Sequence, residues 1–113
     1  MEQLTIREKT TAPITMQLLA DGAAIDLTGA YSVVLEMKDS KNRTYRYSSI
    51  GTSPAVEITD SENGEVTFTP PDEKVFQYLF SPYRFYFRVY ITSDQNYSVP
   101  EDRSAEFRIL KEY

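Results

Sequence analysis

Residues 83–90 read YRFYFRVY, in which Phe85, Phe87 and Val89 alternate with arginine and tyrosine side chains. Successive side chains of a β-strand point to opposite faces of the sheet, so a period of two is typical of a strand buried on one face. The three apolar residues therefore predict a central strand of the fold, with its arginine and tyrosine side chains on the outer face.

Similar alternating runs lie on both sides of this strand and are separated by turn residues. They cover residues 4–9, 14–20, 24–27, 31–38, 44–49, 55–59, 65–69 and 105–110. Short strands at this spacing predict an all-β fold, a Greek-key antiparallel β-sandwich of about seven to nine strands. At most one short helical turn is expected, near residues 73–80, and residues 94–102 are expected to form a loop.

The composition fits a single domain spanning residues 1–113 and restricts its chemistry. With 41% apolar and 26% charged residues, the chain resembles neither a disordered protein nor a membrane protein. It has no cysteine, which excludes disulfides, thiolate nucleophiles and cysteine-bound zinc, and no histidine, the commonest general base. The net charge of −5 disfavours nucleic acid as a partner, because binding to it depends on neutralising phosphates.

No residue is predicted to be catalytic, to bind a cofactor or to bind a metal. The carboxylates of Asp60, Glu62 and Glu65 are the strongest candidates for calcium binding or acid–base chemistry, but their spacing is typical of a solvated hairpin turn. Residues 83–90 carry aromatics as an RNA-recognition strand does, yet they lack the glycines of that motif. We therefore expect neither enzyme activity nor RNA binding.

The apolar runs and the first residues of the chain predict no membrane partner. No apolar run approaches the roughly 20 residues that span a bilayer. The opening residues MEQL lack the basic and apolar regions of a signal peptide. We therefore expect a protein that is not secreted by a signal peptide.

The outer face of the predicted central strand is the candidate binding surface. Its side chains are Arg84, Tyr86, Arg88 and Tyr90. Arginine and tyrosine are enriched in protein–protein interfaces, so this face is a candidate contact surface for a partner. Alternatively, the arginines pair across strands with carboxylates such as Glu36 or Glu106, and the tyrosines lie along the sheet. The sequence leaves both interpretations open.

Three glycines mark chain reversals between the predicted strands. Gly22, Gly29 and Gly64 each follow polar turn residues, and glycine enters positive φ at little cost. We therefore predict that all three are structural turn residues.

The turns and strands follow one another in an order that resembles a known family. The ordered segments are DGAAIDLTGA at 21–30, ITD at 58–60, NGEV at 63–66, the strand 83–91, Pro100 and the strand 107–110. Together they resemble the N-terminal immunoglobulin-like domain of phage baseplate upper proteins, over residues 14–111. The chain departs from the family at Ser81-Pro82, where a glycine usually precedes the tyrosine.

The resemblance implies an immunoglobulin-like sandwich. Independently of the family, Tyr83 is a candidate for the tyrosine corner of such a sandwich, with its hydroxyl bonded to nearby backbone. It also implies a structural, protein-binding module of a phage or prophage tail, made in the bacterial cytoplasm and located in the virion baseplate. The implied partners are other baseplate or tail proteins and copies of the chain itself, in a homo-oligomer. The alternative function is a carbohydrate-binding or adhesin-type sandwich that uses exposed tyrosines as sugar platforms.

Overall fold

The computed structural model describes residues 3–20, 22–52, 54–92, 94–99 and 105–111, which form eleven β-strands. In chain order these are β1 (Gln3–Arg7), β2 (Ile14–Gln17), β3 (Leu19–Ala20), β4 (Ala23–Ala24), β5 (Ser32–Lys38), β6 (Thr44–Ser48), β7 (Val56–Asp60), β8 (Glu65–Phe68), β9 (Tyr83–Tyr90), β10 (Asn96–Val99) and β11 (Glu106–Leu110). Asp21 and Pro100, which belong to the segments that resemble the baseplate family, lie outside the described residues.

Two sheets pack face to face as a sandwich. The larger sheet has the strand order β1-β11-β9-β5-β6, with β10 also pairing with β9, and the smaller sheet has the order β2-β8-β7. Strands β3 and β4 form a separate two-stranded hairpin. The chain passes repeatedly from one sheet to the other, as it does in immunoglobulin-like folds. The all-β sandwich predicted from the sequence is confirmed, but the described residues form eleven strands where about seven to nine were predicted, because the two-residue strands β3 and β4 and the polar strand β10 carry no apolar alternation of their own.

One strand pair departs from the predicted antiparallel arrangement. Strand β1 runs parallel to β11, with Ile6 opposite Ile109 and both side chains buried. The other pairs of described strands are antiparallel. No hairpin joins β1 to β11, so no short turn forces these two strands to run in opposite directions.

The segment predicted as a loop at residues 94–102 contains strand β10. This strand pairs with β9, with Tyr97 opposite Val89 and Val99 opposite Phe87. The prediction was wrong because the NYSV sequence of β10 is short and largely polar, and its pairing depends on the neighbouring strand more than on its own apolar pattern.

The helical turn predicted at residues 73–80 is reduced to a 3-10 turn, Tyr78–Phe80. Phe76, just before it, is fully buried and lies edge-on to Tyr83 and Phe107, with ring centroids 5.3 and 5.1 Å away. These tertiary contacts override the helical spacing of the segment.

A second 3-10 turn, Ser61–Asn63, was not predicted, since at most one helical turn was expected. It is part of the polar connection between β7 and β8, where the turn residues carry no helical apolar spacing. None of the helical segments within the described residues is long or apolar enough to cross a membrane.

Both sheets bury apolar side chains in one shared core. Phe85 and Phe87 of β9 are exposed by only 3% and 1%, and they point inward as their spacing predicts. Phe85 stacks on Phe107 of β11 with ring centroids 4.0 Å apart, and Phe68 of the smaller sheet lies edge-on to Phe76 at 6.0 Å. Such aromatic pairs contribute about 0.5–1.5 kcal/mol each beyond their burial, so they add to the stability of the shared core.

Candidate functional site

The four candidate interface side chains form a row along β9 on the outer face of the larger sheet. They are Arg84, Tyr86, Arg88 and Tyr90. Arg84 is exposed, and the other three are half-buried between the neighbouring strands, β5 on one side and β10 on the other. The row is therefore accessible from solvent, but most of it is held by side chains of the same sheet.

A hydrogen-bonded network centred on Glu36 of β5 holds two of these side chains. The hydroxyl of Tyr86 donates to Glu36 Oε1, and Arg88 Nε lies 3.2 Å from Glu36 Oε2. Arg46 of β6 adds a longer ion pair, with its Nε 3.6 Å from the same Oε2. Arg88 also donates to Asn96 Oδ1 of β10 at 2.8 Å. The network thus ties four strands together on their outer face.

The same contacts determine the charge state of Glu36. Partial burial acts to raise the pKa of this carboxyl group, but the hydrogen bonds from Tyr86 and Arg88 and the charges of Arg88 and Arg46 outweigh burial. The pKa of Glu36 therefore lies below its ordinary value of 4.5. At neutral pH the network contains one carboxylate and two cations.

Arg84 is the candidate residue whose charge no described residue engages. It makes no ion pair or hydrogen bond with another described residue, whereas Arg88 is held by Glu36. In register, Arg84 lies between Glu106 of β11 and Lys38 of β5. Of the cross-strand pairings that the sequence left open, the structure shows the one for Arg88 and not the one for Arg84.

A groove of about 540 Å³ opens beside Arg84 on this outer face. Its charged lining comes from Glu36 and Lys38 of β5, Arg46 of β6 and Arg84 of β9, with Tyr86 between them. Three cations thus face one carboxylate that already accepts bonds from its own sheet. A groove with this positive excess suits the carboxylates of a partner, because charge-assisted hydrogen bonds are stronger than neutral ones.

No protein-family model matches this chain, and no curated protein is similar to it. The resemblance to phage baseplate domains therefore rests on the ordered turns and strands of the sequence. The function of the chain has to be inferred from the outer face itself.

Lys38 and Arg46 belong to the groove but were not predicted from the sequence. Each lies near the β9 row only because of strand pairing, which places Lys38 opposite Arg84 and Arg46 opposite Glu36. The alternation in their own strands indicates that both side chains point outward. Without the register, however, the sequence does not show which outward residues become neighbours.

Tyr83 has the geometry of a tyrosine corner at the start of β9. Its side chain is fully buried, and its hydroxyl accepts the backbone N–H of Gln77 at 2.9 Å. Burial raises the pKa of Tyr83 above its ordinary value of 10.0, although the contact with Gln77 opposes this effect. Ser81-Pro82, which replaces the glycine usual in the baseplate family, is compatible with this arrangement.

The three predicted turn glycines all adopt positive φ, +80° at Gly22, +79° at Gly29 and +65° at Gly64. Gly64 is required for a second reason. A Cβ atom there would lie 2.5 Å from the carbonyl oxygen of Ile25 and 2.9 Å from that of Leu18. The backbone of the β3–β4 region therefore packs directly against the turn between β7 and β8.

Two of the three carboxylates considered for calcium or acid–base chemistry, Asp60 and Glu65, accept hydrogen bonds from neighbouring side chains. Asp60 accepts a hydrogen bond from the Asn63 side chain at 2.9 Å, and Glu65 accepts one from the Thr59 hydroxyl at 2.8 Å. Within the part of the chain that the structure describes, no group of three or more His, Cys, Asp or Glu residues could hold a metal ion. That the protein has no metal, cofactor or catalytic residue stays a prediction.

Proposed function

We propose that the protein is a structural module that binds other protein through the outer face of its larger sheet, around the groove between β5, β6 and β9. The observation that supports this most directly is the positive charge of Lys38 and Arg84, neither of which forms an ion pair with a described side chain. This local positive charge lies on a chain with a net charge of −5. An acidic patch on a partner protein is a surface that complements it.

The shape and charge of the chain favour a protein partner over nucleic acid. A polyanionic strand interacts with the whole charge of the molecule, which is negative, whereas a protein patch contacts only the local basic face. The half-buried tyrosines Tyr86 and Tyr90 add amphipathic contact area beside the cations.

We further propose that the module belongs to the tail or baseplate of a phage or prophage, as the resemblance implies. The ordered turns, strands and tyrosine-led central strand support this proposal. Its partners are then neighbouring baseplate or tail proteins and copies of the chain, and its location is the virion.

The alternative function, carbohydrate binding on tyrosines, is not favoured by the geometry of the β9 row. A sugar platform needs an open aromatic face, but the guanidinium carbon of Arg88 lies 5.6 Å from the ring centroid of Tyr86. The Tyr86 hydroxyl is bonded to Glu36, and that of Tyr90 accepts from Arg46 at 3.5 Å. Both tyrosines of the row are therefore partly committed to contacts within the sheet.

Co-purification tests the proposed function. The chain would be co-expressed with the products of the genes that flank its own, and complexes would be resolved by size-exclusion chromatography. We expect at least one product to co-elute, and we expect the double variant Lys38→Glu with Arg84→Glu to lose it. The double variant Lys9→Glu with Lys74→Glu, which makes the same charge change at exposed positions elsewhere, should retain it.

Two outcomes would contradict the proposal. If the wild-type chain bound neither these products nor itself but bound glycans on an array, the carbohydrate alternative would replace it. If a partner co-eluted equally well with the Lys38→Glu, Arg84→Glu variant, the contact surface would lie elsewhere on the molecule.

A further inference from the structure

The outer faces of the two sheets carry opposite charge. The outer face of the larger sheet holds six of the chain's twelve lysine and arginine residues and two carboxylates. The cations are Arg7, Lys38, Arg46, Arg84, Arg88 and Arg108, and the carboxylates are Glu36 and Glu106. This basic face therefore concentrates positive charge on a protein that is acidic as a whole.

The outer face of the smaller sheet is acidic and flat. Its side chains are Thr15, Gln17, Glu57, Thr59, Glu65 and Thr67, and the adjoining turn adds Asp60 and Glu62. None of the described residues on this face is a lysine or arginine. The threonine hydroxyls lie side by side, Thr15 to Thr67 at 3.1 Å and Thr59 to Thr67 at 3.3 Å. Short side chains bonded along the surface leave the carboxylates as its main charged features.

The two charged faces cannot meet within one molecule. In a sandwich the sheets pack through their inner faces, so the outer faces point in opposite directions. Their complementary charges are therefore available only to another molecule. A contact between two different faces of identical chains is heterologous, so it either closes into a ring or continues as an open filament with one free face of each kind at its ends.

We propose that the basic face of one copy of this chain binds the acidic face of a second copy, in a head-to-tail contact that repeats from copy to copy. This inference rests on the proposed protein-binding function and names its partner. In this contact the exposed carboxylates Glu57 and Glu62 of the acidic face lie against the neighbouring copy. They face its groove cations, Lys38 and Arg84.

The dimensions of the molecule allow such a contact. The sandwich extends 42 × 32 × 23 Å along its principal axes. The acidic face consists of three strands of four to five residues, so it is smaller than the patch of about 800 Å² that each partner of a stable complex usually contributes, and we expect a weak contact. At long range the copies repel each other through their net charge of −5, so orientation of the two faces decides whether they associate.

Sedimentation of the intact chain tests the charge dependence of self-association. Protein would be measured from about 10 μM to about 1 mM at low salt, about 0.01 M, and at high salt, about 1 M, where the screening length falls from about 30 to about 3 Å. We expect association at low salt and a dissociation constant at least about tenfold higher at high salt. A strictly monomeric chain at low salt, or association that strengthens with salt, would overturn the proposal.

Exchanging the charges of the two faces tests which surfaces meet. The basic-face variant is Lys38→Glu with Arg84→Glu, and the acidic-face variant is Glu57→Lys with Glu62→Lys. Each variant alone keeps one charged face, and its altered face carries as many cations as carboxylates, so each should be monomeric where the wild type associates. Mixed in equal amounts, the two variants should associate again, because the unchanged acidic face of the first variant meets the unchanged basic face of the second.

Matched controls show whether the loss of association depends on the two faces or only on the net charge. The control for the basic-face variant is Lys9→Glu with Lys74→Glu, and the control for the acidic-face variant is Glu73→Lys with Asp94→Lys. Each control makes the same change in net charge as its variant, at exposed positions outside both faces, and should associate as the wild type does. Circular dichroism and melting temperature would show that every variant is folded. Variants that associate alone as strongly as the wild type, or that fail to associate when mixed, would overturn the proposal.

Self-association and the binding of a different protein give separate results in these experiments. If the chain does not self-associate but its basic-face variant loses a co-eluting partner, the protein-binding function stands and the occupant is a different protein. If self-association depends on the two faces but no flanking product binds, the basic face contacts copies of the chain alone.

Discussion

Lys38 of β5 and Arg84 of β9 lie directly opposite each other in the antiparallel register, and both side chains point to the outer face of the larger sheet. Like charges directly opposite on neighbouring strands destabilise a sheet. Neither cation forms an ion pair with a described side chain. A local conflict of this kind without a compensating contact is typical of a functional surface.

Lys38→Glu should make the isolated protein more stable. The substitution replaces a repulsive cross-strand pair by an attractive one with Arg84, so the free energy of unfolding should rise by about 0.2–1 kcal/mol. Urea unfolding followed by tyrosine fluorescence measures this change. The neutral variant Lys38→Gln should fall between the wild type and Lys38→Glu, and a Lys38→Glu protein less stable than the wild type would show that the pair is not repulsive.

Gly64→Ala should be much more damaging than Gly22→Ala. Both positions have positive φ, where an alanine costs about 1–2 kcal/mol. At Gly22 a Cβ atom meets nothing within 4 Å, whereas at Gly64 it would collide with the carbonyl oxygens of Leu18 and Ile25. Thermal unfolding of the two variants measures both effects. The conformational strain lowers both melting temperatures, and the collision lowers that of Gly64→Ala further. Equal melting temperatures would mean that the backbone near Leu18 moves aside freely.

The sequence predicts those parts of the fold that depend on period and turn chemistry. The alternation of Phe85, Phe87 and Val89 predicts which face of β9 is buried, because a period of two needs no knowledge of neighbouring strands. The turns at Gly22 and Gly64 are predictable because positive φ strongly favours glycine.

The remaining features depend on contacts between distant segments. The sequence predicts that Lys38 and Arg84 point outward, but their opposition follows from a strand register that one sequence does not specify. Strand β10 exists because β9 offers it an edge, and Phe76 is buried because Phe68, Tyr83 and Phe107 surround it. The opposite charges of the two outer faces likewise appear only once the strands have been assigned to sheets.

Tyr83→Phe should destabilise the sandwich although the ring stays in place. The variant removes the hydroxyl that accepts the Gln77 N–H at 2.9 Å, and it leaves that donor without its partner next to the core. Such a loss costs about 1–3 kcal/mol. Tyr78→Phe removes a hydroxyl from an exposed ring and should change the free energy of unfolding by less than about 0.5 kcal/mol. Equal effects in the two variants would show that the corner contact does not stabilise the fold.

The hairpin between β5 and β6 is organised by a buried carboxylate, Asp39. Its Oδ1 accepts the backbone N–H groups of Lys41 and Arg43 at 2.8 and 3.0 Å. Its Oδ2 accepts Arg43 Nε at 3.0 Å and the Tyr45 hydroxyl at 2.8 Å. Burial acts to raise the pKa of Asp39, but these hydrogen bonds outweigh it and hold the pKa below its ordinary value of 3.8.

Asp39 should therefore make the stability of the protein depend on pH in the acid range. A carboxyl group whose pKa is lower in the folded state stabilises that state above its unfolded pKa, and it loses this effect as the pH falls through the folded value. The contribution of Asp39 is thus complete at neutral pH and declines below pH 3.8.

Asp39→Asn should lower the free energy of unfolding by about 1–3 kcal/mol at neutral pH, because an amide accepts fewer bonds and places N–H groups against the donors of Lys41 and Arg43. Urea unfolding from about pH 7 to about pH 2 should show the wild type and the variant converging in acid, with the exposed-site control Glu73→Gln parallel to the wild type throughout. A difference between Asp39→Asn and the wild type that stayed constant down to the lowest pH would mean that the charge of Asp39 does not stabilise the hairpin.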